Sequence, residues 1–179
     1  MARKNTLGKL LQELDKEELI AEIEKICDKF EVVRDYFHID LTGDTSAYVA
    51  QAKKKTEGQF YTAAGKPRHP KASRLNKIIA DFETLSIYKE DVIGLLLFRV
   101  EKTLRFIRDN GYFEPPLLQS TLRAFAKACT LIIDNDLTDK YAQQCAAINI
   151  AGYEVYYNEE MEHIFREYFP GYNKESYNF

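Results

Sequence analysis

The stretch from Tyr88 to Asn110 constrains the fold of this chain more than any other. Ile93, Leu97, Val100, Leu104 and Ile107 recur at steps of four and three, the spacing that keeps side chains on one stripe of an α-helix. Val92, Leu95, Leu96 and Phe98 widen that stripe until the first half of the segment is apolar on nearly every side. A helix with so little polar surface has to be surrounded by other elements. The pattern predicts a central helix. Gly111, which tolerates the left-handed conformation past a helix end, stops it, and Pro115-Pro116 opens the next helix where a missing N–H costs nothing.

The elements around it are predicted to be helices too. At Leu14-Asp15-Lys16-Glu17-Glu18, Asp15 is placed to cap the free amides and Glu18 to reach back to the cap's own N–H. Leu19, Ile23, Ile26, Phe30, Val33 and Phe37 then share one stripe, which predicts a single helix from Leu14 to Phe37. Leu7, Leu10, Leu11 and Leu14 make a shorter amphipathic turn before it, and the two form a helical hairpin. A weaker pattern from Thr45 to Tyr61 precedes a loop at residues 62–72, where Gly65, Pro67 and Pro70 remove the periodicity. Ser73 is the expected cap of a helix carrying Leu75, Ile78, Ile79, Phe82 and Leu85. Further helices are predicted to about Asp134, from a cap at Thr138 through the small residues Ala142, Ala146, Ala147, Ala151 and Gly152, and from Glu159 to Phe169. No alternating run of β-branched residues competes. The expected fold is all-α, a single domain over residues 1–179 built as a bundle of about eight helices, with a short solenoid of helical pairs as the lesser possibility.

Two blocks of sequence carry a likeness. One is Leu14 to Phe37, with its Asp-Lys-Glu-Glu-Leu opening, Lys29-Phe30, and Val33-Arg34 followed by Tyr36-Phe37. The other joins Gly65-Lys66-Pro67-Arg68, Lys71, Ser73, Lys77 and Ile79 to the Phe82 and Leu85 pair. Over about Leu14 to Glu101 the chain resembles a family of small bacterial all-helical proteins that form a domain of unknown function. That resemblance implies a bacterial, cytoplasmic, helical protein and supplies no catalytic residues.

Composition closes several classes. Aromatic residues at 13% bury enough surface to exclude disorder, and a net charge of −3 excludes a globally basic packaging protein. Cys27, Cys129 and Cys145 have neither C-x-x-C spacing nor an even count, so they read as buried thiols of a reducing cytoplasm. Met1 to Leu10 holds no apolar run of signal-peptide length, and Val92 to Phe98 falls far short of the ~20 residues that cross a bilayer. No membrane association is expected.

The charge is unevenly placed. Lys53, Lys54, Lys55, Lys66, Arg68, Lys71, Arg74 and Lys77 face one acid, Glu57, between positions 53 and 77, giving that segment +7 against −10 for the remainder. Lys53, Lys54, Lys66, Arg68, His69, Lys71, Arg74 and Lys77 are therefore the candidates for binding a polyanion, nucleic acid or a phosphorylated ligand, with Phe60 and Tyr61 placed for stacking. A solvated face balancing the acidic remainder, and docking to an acidic protein, explain the same residues. Pro67-x-x-Pro70 also matches a minimal polyproline spacing.

No metal site and no cofactor is expected. Glu160 and His163 form one Glu-x-x-His pair where di-iron bundles need two, and the turn holding His38, Asp40 and Asp44 lacks the dense carboxylates of a calcium loop. No catalytic residue is assigned, because nucleophile elbow, phosphate-loop and dinucleotide signatures are all missing. Nine of 23 aromatics lie in residues 153–179. Tyr168, Phe169, Tyr172, Tyr177 and Phe179 either close the end of the bundle or form a contact with a protein partner or second copy, the last residues belonging to an aromatic tail at 170–179. The function expected from sequence is a non-enzymatic binding or protein-interaction module. Nucleic-acid or phosphate-ligand binding through residues 53–77 is the alternative, and an enzyme with an unrecognised site comes last.

Overall fold

The computed structural model of the chain describes residues 2–86, 88–112, 114–155 and 158–171. Among them are nine helices and no strand, so the fold is all-α as the periodicity requires. Contacts group the chain into two compact units, Met1–Asp44 and Thr45–Phe179.

The first unit contains α1 (Ala2–Gln12), α2 (Lys16–Lys29) and α3 (Glu31–Thr42). Asp15 and Glu18 form the full capping box, with Asp15 Oδ1 accepting from the Glu18 amide at 2.8 Å and Glu18 Oε2 accepting from the Asp15 amide at 3.0 Å. The single helix expected from Leu14 to Phe37 is two helices. Phe30 leaves helical geometry at φ −129°, ψ 101°, yet its N–H still donates to Ile26 O and its carbonyl accepts from Val33 and Arg34. One residue thus ends α2 and begins α3, which raises the number of helices from eight to nine. No residue of α2 is buried, and Cys27, expected in a core, is only half-buried. Ten large apolar side chains between Leu7 and Leu41 stand exposed, Leu41 by 80%.

The second unit contains α4 (Ser46–Phe60), α5 (Ala72–Leu85), α6 (Lys89–Asn110), α7 (Pro115–Asp134), α8 (Thr138–Tyr153) and α9 (Asn158–Tyr168). Helix α6 is the centre, packing against α4, α5, α7 and α8 and burying Ile93, Leu97, Val100 and Leu104 along with Val92, Leu95 and Leu96. Gly111 ends it at φ +59°, a left-handed conformation that side chains with a Cβ resist. Lys71, not Ser73, occupies the N-cap of α5, and Leu137, not Thr138, that of α8; neither makes a side-chain cap hydrogen bond. Phe165 and Phe169 stack at 5.2 Å in the core, where α9 packs on α7 and α8. No helix among the described residues is long and apolar enough to cross a membrane.

Candidate functional site

The last turns of α4 and the second half of α6 frame a cleft of about 740 Å³, within the ~300–1,000 Å³ of small-molecule sites. Its floor is aromatic. Phe60 and Phe106 are buried with ring centroids 5.4 Å apart, and Tyr61 sets its ring at 72° to Phe106, also at 5.4 Å. The Tyr61 hydroxyl accepts from Asn110 Nδ2 at 3.2 Å, and the residue as a whole is 37% exposed.

The chain after α4 folds back at once. Tyr61 bridges to Pro67, Thr62 N–H donates to Lys66 O at 2.8 Å, and Arg68 N–H donates to Phe60 O at 2.8 Å. Gly65 turns the hairpin at φ +74°, where Lys66 N–H is held by Thr62 Oγ1 at 3.0 Å. Part of the loop expected to lack structure is therefore pinned to the end of α4. Its ladder is too short to leave a strand signal in sequence.

This pinning carries Arg68 to the cleft, where its Nη1 donates to Gly58 O at 3.1 Å. That cation stabilises the free carbonyls at the end of α4 and leaves other donors of the guanidinium available. Lys54 lines the same cleft and has no ion-pair partner among the described residues. Two cations come from α6: Lys102, paired with Glu57 at 2.7 Å, and Arg105, whose Nε lies 3.5 Å from Asp109. The cleft thus holds four cations from three elements against two carboxylates.

The structure brings only two of the eight predicted basic candidates, Lys54 and Arg68, into this cleft. Lys53 turns over the Phe98 ring at 5.4 Å, as three consecutive lysines on a helix must diverge. His69 packs on Tyr112 with Nδ1 3.4 Å from the hydroxyl, and Lys77 pairs with Asp81 at 2.8 Å. Lys66, Lys71 and Arg74 are exposed outside the cleft. Lys102 and Arg105 escaped the sequence reading because they lie outside the basic segment; the available signal was their i, i+3 spacing on the polar side of α6.

Of the aromatic candidates, Phe169 is buried and Tyr168 is half-buried, its hydroxyl accepting from Thr130 Oγ1 at 3.0 Å. Tyr172, Tyr177 and Phe179 lie outside the described residues. Among the described residues no cluster of three His, Cys, Asp or Glu is arranged to hold a metal ion.

Fold and cleft together define a small all-helical protein with a cationic, aromatic-floored pocket between two helices of its second unit. The chain belongs to a family of unknown function, DUF6155, whose model matches residues 1–170. No curated protein and no solved structure matches it.

Proposed function

We propose that this protein is a cytoplasmic, non-enzymatic binding module that holds a phosphate-bearing ligand in the cleft between α4 and α6. One observation carries the reading: cations from α4, the hairpin and α6 converge on one concave site, and Lys54 and Arg68 are not neutralised there by a carboxylate. Lys and Arg recognise phosphate oxygens through charge-assisted hydrogen bonds. A small ligand is favoured over a nucleic-acid strand, because the other basic residues of the segment do not line this cleft. Free thiols at all three cysteines suit a reducing compartment.

The test is calorimetric titration with inorganic pyrophosphate at low salt. Binding is expected, weakening as salt rises. Lys54→Glu combined with Arg68→Glu is expected to lower affinity at least tenfold while the circular dichroism spectrum stays helical. Equal binding by the double variant, or none by the natural protein, overturns the reading.

A further inference from the structure

We infer that the ligand of this cleft is a free nucleoside phosphate, its base lying on Tyr61 and its phosphates between Lys54 and Arg68; this rests on the phosphate-binding reading above. Phosphate alone needs only cations. The cleft adds a tyrosine that is exposed yet held by two contacts, Asn110 on its hydroxyl and Phe106 edge-on to its ring. A ring already immobilised loses little freedom when a planar group stacks on it. Neighbouring apolar rings of the chain follow the opposite course, since Phe60 and Phe106 are both withdrawn from water.

Tyr61 and the uncompensated cations are placed together by the chain itself. Tyr61 follows α4 directly, and its bridge to Pro67 brings Arg68 back to Gly58, three residues before the tyrosine. Lys54 lies on the same helix, one face of which lines the cleft together with Glu57 and Gly58. An exposed ring beside cations matches a molecule that joins a flat heterocycle to phosphate, the combination by which proteins hold nucleotides through stacking and charge. The volume of about 740 Å³ accommodates such a ligand.

Adenosine diphosphate, inorganic pyrophosphate and a ten-residue oligothymidylate are the probes, titrated into the full chain under one buffer. Adenosine diphosphate is expected to bind roughly tenfold more tightly than pyrophosphate, the range a stacked base contributes. Tyr61→Leu is expected to bring the ratio of the two affinities close to one, whereas Tyr61→Phe keeps it. Equal affinity for the two small probes overturns the stacking inference and leaves the phosphate site standing. Tighter binding of the oligonucleotide than of adenosine diphosphate overturns it in favour of a strand. If no probe binds, the phosphate reading falls as well. Because Tyr61 also packs on Phe106, the comparison of probes on the natural protein decides by itself should Tyr61→Leu fail to fold.

Discussion

The guanidinium of Arg99 on α6 donates to the side-chain oxygen of Asn76 on α5 at 2.7 Å, from a residue only 2% exposed. Its Nη2 donates to Ser120 Oγ at 2.5 Å and to Ser120 O at 3.4 Å, while Nε has no partner and no carboxylate pairs with the group among the described residues. A buried cation held only by neutral oxygens is costly, and burial accordingly lowers the Arg99 pKa to about 10.

Removing a partner of that cation should therefore hurt more than removing the cation. Ser120→Ala is expected to cost about 1–3 kcal/mol by leaving a buried donor without its hydroxyl. Arg99→Met leaves no orphan, since Ser120 Oγ still donates to Asn76 at 3.0 Å, and is expected to cost less than about 1 kcal/mol or to stabilise. Urea unfolding of the two variants gives the order, and a larger loss for Arg99→Met refutes it.

Two glycines of the second unit should respond with opposite sign. A Cβ built at Gly94, inside α6, meets nothing within 4 Å, so Gly94→Ala is expected to gain about 0.5–1 kcal/mol from reduced freedom of the unfolded chain. At Gly152 the added carbon would lie 2.8 Å from Met161 Sδ and 3.4 Å from Met161 Cβ. Met161 is itself buried in the core, so Gly152→Ala is expected to cost about 1–3 kcal/mol. Thermal melts of the two variants check both signs.

Tyr112 gives a pH dependence. Desolvation, followed by a hydrogen bond to Glu114 and its charge, raises the phenol from 10.0 to about 12. The folded state thus holds the neutral phenol after the unfolded chain has lost its proton. This contribution to stability is complete below pH 10 and is lost as the pH rises from about 10 through 12. Tyr112→Phe should flatten stability over that interval, and the phenolate absorbance should lose one late-titrating tyrosine. A late titration that persists in the variant refutes the assignment.

Glu57 and Asp109 oppose any anion in the cleft while occupying Lys102 and Arg105. Glu57→Gln and Asp109→Asn are each expected to strengthen pyrophosphate binding by roughly fivefold at low salt, the effect of about 1 kcal/mol between unit charges a few ångströms apart in water. The gain should shrink as salt is added. Unchanged or weaker binding in both variants counts against an anion in this cleft.

Most of the helices were legible because periodicity, caps and stops are local. The Asp15 to Glu18 box, the end at Gly111 and the start at Pro115 each lie within a few residues of the signal that announces them. Phe30 was not legible, because a one-residue cap leaves the apolar stripe running on from Ile26 to Val33 as if the helix were unbroken. Ser73 misled for a related reason: Lys71 turns the backbone into α5 without side-chain help, and the serine falls inside the first turn. The cleft was half legible. Its hairpin cations stand in a dense basic segment, whereas Lys102 and Arg105 join them only through the packing of α4 on α6.

The exposed apolar side chains of Met1–Asp44 bear on how the protein behaves as a solute. That stretch carries eleven acidic residues against seven basic ones, a net −4 distributed among its exposed apolar groups. Like charge keeps such surfaces apart in dilute buffer, and at physiological ionic strength its reach falls to about 8 Å. For this part of the molecule, ionic strength sets colloidal behaviour as much as packing does.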